Sequence, residues 1–348
     1  MSGRSWLVVA GLAVGLAGIC GCAVEQAYIA PVERPGGAIV FAQAAAQDSD
    51  AYAAGRKAAE QLRARLNGTE PAVVLMAECF EDEGDKSRCL AGVCSVLPKD
   101  RVFGLATYGS FSQGGCLDAD SAALAAIGGD GVGAAAAMRA KLGVADLTME
   151  EHADEVAARL RSAGAELALK LPRRDDDRLL ILMADAHSPK NGFLVEGVQP
   201  VFGAEFPMTG GSANKNAGQT FVYYRGRMYT DAAVAVLLSG DFKVAMSGRQ
   251  ARDNAMVIAT AMSGASEARR KSEGEPIGVL AFNCAGRKGK LDNIVDELEA
   301  MQSVLGTQTA MFGVYCAGEI GPPDTPQTPT AARIAGVGWH LMVTIISR

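Results

Sequence analysis

The chain has 348 residues, a length for about two domains, with 49% hydrophobic and 21% charged residues and a net charge of -6. That balance can build a sizeable core, and no Lys/Arg cluster has aromatics woven through it, which excludes a nucleic-acid interface. The 41 glycines point to many tight strand-to-loop turns.

Residues 1–22 read as an export signal. Arg4 supplies the positive start, and the uncharged apolar run from Trp6 to Ile19 is too short for the roughly 20 residues of a spanning helix. The run ends Ile19-Cys-Gly-Cys22, a bacterial lipoprotein box in which small Gly21 precedes Cys22, the expected lipidation site. The alternative is an ordinary cleaved signal. Ala23 follows Cys22 in place of an Asp that would mark inner-membrane retention, so an outer-membrane lipoprotein on the periplasmic side of the cell envelope is expected. Residues 23–45 read as a tether.

Beyond this point a strand-helix-strand pattern occurs three times. A helix is expected over 49–66, where Ala54, Ala58, Leu62 and Leu66 share a face, ended by Asn67-Gly68. The first copy has a strand over 72–77, an acidic loop, a helix near 86–97 and a strand over 102–107 ending in Tyr108-Gly-Ser110; an apolar stretch over 122–127 follows. After a helix over 148–163, the second copy has a strand over 179–184 ending at Asp185, a helix over 192–201, and Phe206-Pro-Met-Thr209 leading into Gly210-Gly-Ser-Ala-Asn214. The stretches 220–224 and 228–238 flank Arg225-Gly-Arg227 as a hairpin. After a helix over 250–271 the third copy has strands over 277–282 and 310–315 around a helix over 291–305, and a last strand over 338–346. The first strand of each copy is apolar almost throughout, as in a sheet covered on both faces. The predicted fold is α/β, with mixed β-sheets built from repeated strand-helix-strand units and covered by helices.

The best-marked candidate site lies in the third copy. Asn283-Cys-Ala-Gly-Arg287 and Cys316-Ala-Gly-Glu319 each follow an apolar strand, and neighbouring strands would aim Arg287 and Glu319 into one crevice at the carboxyl edge, where open α/β sheets bind ligands. Gly286 and Gly318 would let the backbone approach a ligand, and Arg287 could take a carboxylate bidentately. Glu319 could accept from an ammonium. Both signs together suit a zwitterion; the alternative is a bridge that closes the sheet edge. Gly211, Ser212 and Asn214 offer a second loop of donors, or a plain turn. The proline-rich stretch 322–330 is expected as an extended loop beside this crevice.

A Cys-dependent reading would need Cys284 activated by His340 or His187, with no local sequence behind it. Asp185 and His187 could form a proton-transfer pair, and Cys284 with Cys316 is one geometric option for a disulfide. The scattered His152, His187 and His340, without any C-x-x-C, argue against a zinc site. No cofactor and no enzymatic activity are expected.

These residues carry a resemblance. Cys284-Ala-Gly-Arg287 after an apolar strand, Phe312-Gly-Val-Tyr-Cys-Ala-Gly-Glu-Ile320 after the next helix, and Gly210-Gly-Ser-Ala213 before a Tyr-rich hairpin resemble FIST-domain proteins, a bacterial sensory and signal-transduction family. The resemblance runs from about Ala45 to Arg348 and implies an N-terminal domain over 46–239 and a C-terminal domain over 240–348. It implies sensing of a small molecule, an amino acid or small carboxylate, with Arg287 and Glu319 at the family's strongest motif positions. The chain departs from the family in lacking Asn over Thr328–Val337, and in its apparent export without a signalling module. The haem-binding branch finds no histidine in a ligand context. The alternative to a sensor is a purely structural envelope lipoprotein.

Overall fold

The computed structural model describes residues 28–30, 32–33, 36–214, 219–324 and 334–348. Cys22, the signal segment and most of the proline-rich stretch lie outside the described residues. The chain opens with β1 (Tyr28–Ala30) and then forms three units of the same order. The first is β2 (Val40–Gln47), α1 (Ala51–Leu66), β3 (Pro71–Glu78), α2 (Glu83–Cys94), β4 (Val102–Ala106), the hairpin β5 (Ser110–Ser112) and β6 (Gly115–Leu117), and β7 (Ser121–Gly128). The second is β8 (Val132–Ala140), α3 (Met149–Lys170), β9 (Asp177–Ala184), α4 (Lys190–Phe202), β10 (Met208–Ser212), the hairpin β11 (Val222–Tyr224) and β12 (Arg227–Tyr229), and β13 (Ala232–Gly240). The third is β14 (Lys243–Gln250), α5 (Asn254–Lys271), β15 (Pro276–Cys284), α6 (Ala285–Lys288), α7 (Val295–Leu305), β16 (Met311–Cys316), the hairpin β17 (Glu319–Gly321) and β18 (Ala335–Val337), and β19 (His340–Ser347).

Each unit builds one mixed sheet. Its first strand pairs antiparallel with its last, the last antiparallel with the central strand, and the central strand parallel with the next. The hairpin then leaves its own unit. β5–β6 completes the third sheet beside β16, β11–β12 completes the first beside β4, and β17–β18 completes the second beside β10. The three units therefore exchange hairpins in a closed cycle.

Period-two alternation explains the layering. Val73, Leu75 and Ala77 of β3, Leu179, Ile181 and Met183 of β9, and Leu280 and Phe282 of β15 point into one shared core between the sheets. The residues between them point outwards under α1 and α2, under α3 and α4, and under α5 and α7. Both faces are buried, hence the almost continuous apolar runs. Several glycines serve helix contact and not turns. A Cβ on Gly55 would sit 2.1 Å from the Cys89 carbonyl oxygen, and one on Gly197 2.1 Å from that of Arg161, so α1–α2 and α3–α4 meet backbone to backbone.

Three readings of the sequence need correction. The supposed tether over 23–45 contains β1 and runs into β2, whose Phe41 ring lies against Gly278 of β15. β8 and β14 were not anticipated. β2 and β8 are rich in alanine, which has little strand propensity, and their pairing comes from neighbours far along the chain. The second arm of the Arg225–Arg227 hairpin is the short β12, and β13 is a central strand of the second sheet. Removing residues 1–27 is therefore expected to leave the melting temperature unchanged. Removing 1–47 should lower it by roughly 10 °C or more, because burial of a ring such as Phe41 is worth about 3–5 kcal/mol and each kcal/mol is worth about 2–4 °C in a large domain. Equal melting curves for the two truncations would contradict the placement of β2.

Candidate functional site

The carboxyl ends of all the parallel strand pairs gather at one pole. Three pairs of backbone hydrogen bonds lock them together. Ala106 donates to the Phe221 carbonyl (2.9 Å) and accepts from Asn214 (3.0 Å); Ser212 donates to Gly318 (2.8 Å) and accepts from Ala317 (3.0 Å); Tyr315 donates to Gly109 (3.0 Å) and accepts from Tyr108 (3.0 Å). Each incoming hairpin covers a glycine of the strand it joins: Tyr223 opposite Gly104, Ile320 opposite Gly210 and Phe111 opposite Gly313. Those glycines pair with Met76, Leu182 and Ala281, so two residues on, Glu78, Ala184 and Asn283 are equivalent positions.

The sequence expectation of an open crevice between Arg287 and Glu319 is not what the structure shows. Arg287 is fully buried. Its Nη2 donates to Glu297 Oε1 at 2.7 Å and to the Val257 carbonyl at 3.1 Å, Nε donates to Asn283 Oδ1 at 3.1 Å, and Nη1 donates to Thr260 Oγ1 at 3.2 Å and the Arg249 carbonyl at 3.3 Å. Asn283 Nδ2 closes the network on Glu297 Oε2 at 2.7 Å. This guanidinium ties α5, α7, β14 and β15 together and has no free fork for a ligand carboxylate. Gly286 is covered by the Trp339 indole, with an added Cβ only 3.1 Å from the ring. Glu297 lies too far along the chain from the strand-end motif to be singled out by sequence, as does Trp339.

The other expected residues do come together. Gly211 pairs with Glu319 across β10 and β17, and a Cβ on Gly211 would meet the Cys316 sulfur at 2.5 Å. Ser212 Oγ donates to the Ala186 carbonyl at 2.6 Å. Asn214 is buried; its Nδ2 donates to the Tyr315 carbonyl at 2.7 Å, and its Oδ1 has no hydrogen-bond donor among the described residues. Glu319 Oε2 accepts from the His340 amide at 2.9 Å, while Oε1 is buried and, among the described residues, takes no hydrogen bond from any nitrogen or hydroxyl. Burial raises the Glu319 carboxyl to about 8, against the opposing pull of the His340 amide, the Cys284 thiol and the Arg287 charge. Cys284 is pushed up to about 11 by burial and by the Glu319 charge, although the Trp339 amide donates to its sulfur at 3.3 Å. Cys284 and Cys316 are register partners on β15 and β16 and both are free thiols.

An open cleft lies in the second unit instead. It has a volume of about 360 Å³ and opens at the carboxyl end of β9 between Asp146, Asp185, His187, Lys190, Thr220 and Asp231. The connection 141–148 builds one wall; the equivalent connections run only over 48–50 and 251–253. A larger cleft of about 620 Å³, near Glu70, Asp100 and Arg101, sits at the opposite pole by the strand starts. Open α/β sheets take ligands at strand carboxyl ends, so the smaller cleft is the candidate. Asp185 and His187, which the sequence offers as a proton-transfer pair, both line this cleft. The carboxylate of Asp185 accepts from the Asp231 amide at 2.8 Å, and that of Asp231 accepts from the Gly143 amide at 2.9 Å.

A family model described as FIST N domain matches residues 72–264, and one described as FIST C domain matches residues 227–322. The chain belongs to the FIST family. No curated protein matches it. Among solved structures, a cyanuric acid hydrolase described as an evolutionary innovation by structural concatenation is 13% identical, with a TM-score of 0.42 over 89% of this chain and 99% of that one. Cyanuric acid hydrolase from A. caulinodans is 10% identical, with a TM-score of 0.43 over the same shares, and PurLQS from Thermotoga maritima is 9% identical, with a TM-score of 0.24 over 92% and 74%. Likeness this distant carries no activity across.

Two predictions follow from the buried charges. Arg287→Ala leaves Glu297 buried and unpaired, a change worth about 3–5 kcal/mol; denaturant unfolding measures it, and a loss below about 1 kcal/mol, as for a surface pair, would contradict the clamp. Glu319 keeps its proton up to about pH 8 when folded, against 4.5 for the ordinary group. Between these values the folded state binds more protons, so stability from this group is complete below pH 4.5 and falls as pH rises to about 8. Glu319→Gln removes that term. The variant should lose less stability than the wild type between pH 5 and 8 in denaturant titrations, and equal slopes would show that Glu319 ionises normally.

Proposed function

We propose that this chain is a small-ligand-binding sensory protein of the cell envelope. The open cleft at the carboxyl end of β9 carries this reading. At the equivalent place in the first unit, Glu78 holds the buried Lys86 ammonium at 3.2 Å and accepts from the Tyr223 hydroxyl at 2.7 Å. In the third, Arg287 and Glu297 fill the space. In the second unit the equivalent of Glu78 and Asn283 is Ala184, too small to hold a cation, and the cleft stays open. Membership of the FIST family supports the sensory part. The raised Cys284 thiol is a weak nucleophile at neutral pH, which favours binding over Cys-dependent chemistry. Of the strand-end residues expected from the sequence, Ser212 is tied to the cleft through its bond to the Ala186 carbonyl, and Gly211, Asn214, Gly318 and Glu319 pack behind it without lining the cleft.

Residues 1–22 would export the chain, and a lipid on Cys22 would hold it at the outer membrane, facing the periplasm. No helix among the described residues is long and apolar enough to cross a membrane. Cys22→Ser should then move the protein from the membrane to the soluble fraction of fractionated cells; an unchanged distribution would sink the anchor.

A thermal-shift screen of amino acids, small carboxylates, amines and sugars tests the binding function. One class should raise the melting temperature saturably, by the equivalent of about 2.7 kcal/mol at a hundred times Kd. Asp185→Asn should abolish the shift while leaving the ligand-free melting temperature in place, since Asn keeps an acceptor for the Asp231 amide. The absence of any shift across the whole screen would overturn the reading.

A further inference from the structure

We propose that the cleft of the second unit takes a small organic cation, an aliphatic amine with one or more primary ammonium groups and no carboxylate. This rests on the binding function just given and names the ligand class for it.

Asp146, Asp185 and Asp231 line the cleft, and among the described residues none of them forms an ion pair with Lys or Arg. Backbone amides orient Asp185 and Asp231 without neutralising them. Lys190 is the lining cation, and its ammonium is committed: it donates to the Val144 carbonyl at 2.7 Å and the Leu147 carbonyl at 2.6 Å, holding the 141–148 wall in place. It has no fork to offer a carboxylate. A zwitterionic amino acid would thus find three carboxylates for its ammonium, while its own carboxylate would meet the same three like charges with only Gln219, Thr220, Thr230 and the remaining Lys190 and His187 N–H groups to offset them, and a dicarboxylate would fare worse.

Thr220 lines the cleft, is only 8% exposed, and its hydroxyl has no partner among the described residues. That hydroxyl faces the cleft and can accept from a ligand N–H.

The other two units handle the same pole differently. Each places a cation of its own on a buried carboxylate at this pole: Lys86 on Glu78 and Arg287 on Glu297. The second unit keeps the carboxylates at the strand end and diverts its own cation, Lys190, to backbone carbonyls. A ligand ammonium would occupy the role that Lys86 and Arg287 fill elsewhere. Among the described residues no group of three or more His, Cys, Asp or Glu side chains is placed to hold a metal ion.

The test uses a four-carbon series on the full chain, by calorimetry and thermal shift: 1,4-diaminobutane, 1-aminobutane, 4-aminobutanoate, succinate and butane-1,4-diol. The two amines should bind, the diamine more tightly, with affinity falling as salt rises. The other three should not. Asp185→Asn should weaken diamine binding at least about tenfold, the loss of one close charge partner. Exposed Asp146, changed to Asn, is a second variant that leaves folding intact and should weaken the diamine but not the monoamine as strongly. Binding of succinate or the diol that is lost in Asp185→Asn would leave the cleft as the site and overturn the amine class. Amine binding unchanged in both variants would overturn the cleft as its place. No binding by the series, with another compound of the wider screen binding in an Asp185-dependent way, would overturn the amine class alone.

Discussion

Everything at the pole of the strand carboxyl ends depends on six backbone hydrogen bonds that join the three units end to end. Ala106, Ser212 and Tyr315 each donate one and accept one, and each does so with the hairpin connection of the next unit. Singly such bonds contribute about 0.5–1.5 kcal/mol. Their effect here is geometric. No unit finishes its own sheet, because the outer two strands arrive from a neighbour. The edge beside β4, β10 or β16 would otherwise present unpaired N–H and C=O groups. The cycle closes all three edges at once and brings the strand ends to a common pole, where loops of different units face one another.

That pole sets a problem of buried charge, which the units solve differently. A carboxylate taken out of water must be paired or protonated. Glu78 and Glu297 are paired with chain cations, yet burial still raises both. Glu319 has no such cation at contact distance and is held largely protonated at neutral pH. Asp185 and Asp231 stay at the surface of a cleft, where water or a ligand can serve them. The difference traces to single positions: Glu78 and Asn283 anchor a cation, and Ala184 cannot. An eight-residue connection, 141–148, then builds a wall where the other units have a short turn.

Pattern in the chain was enough for the α/β class, the threefold recurrence and the core strands. Apolar runs such as Leu179–Ala184 and Val73–Ala77 permit no other placement than a sheet covered on both faces. The family could be named from Cys284–Arg287 and Phe312–Ile320, because close backbone approach and buried polar clamps fix residue types locally. The alanine-rich β2 and β8 stayed invisible for the opposite reason: their side chains state no preference, and only partners such as β7 and β13 make them strands.

The candidate site divides along the same line. Sequence by itself determined that polar residues end the strands at one edge, and placed Gly211, Ser212, Asn214, Gly318 and Glu319 on stretches that do meet. Only the tertiary structure decided where each charge goes. Arg287 turns away from Glu319 to Glu297, 10 residues on, and Trp339 closes the space above Gly286. Which strand end remains open depends on contacts between segments distant in the chain, above all the exchanged hairpins, and no local pattern records those.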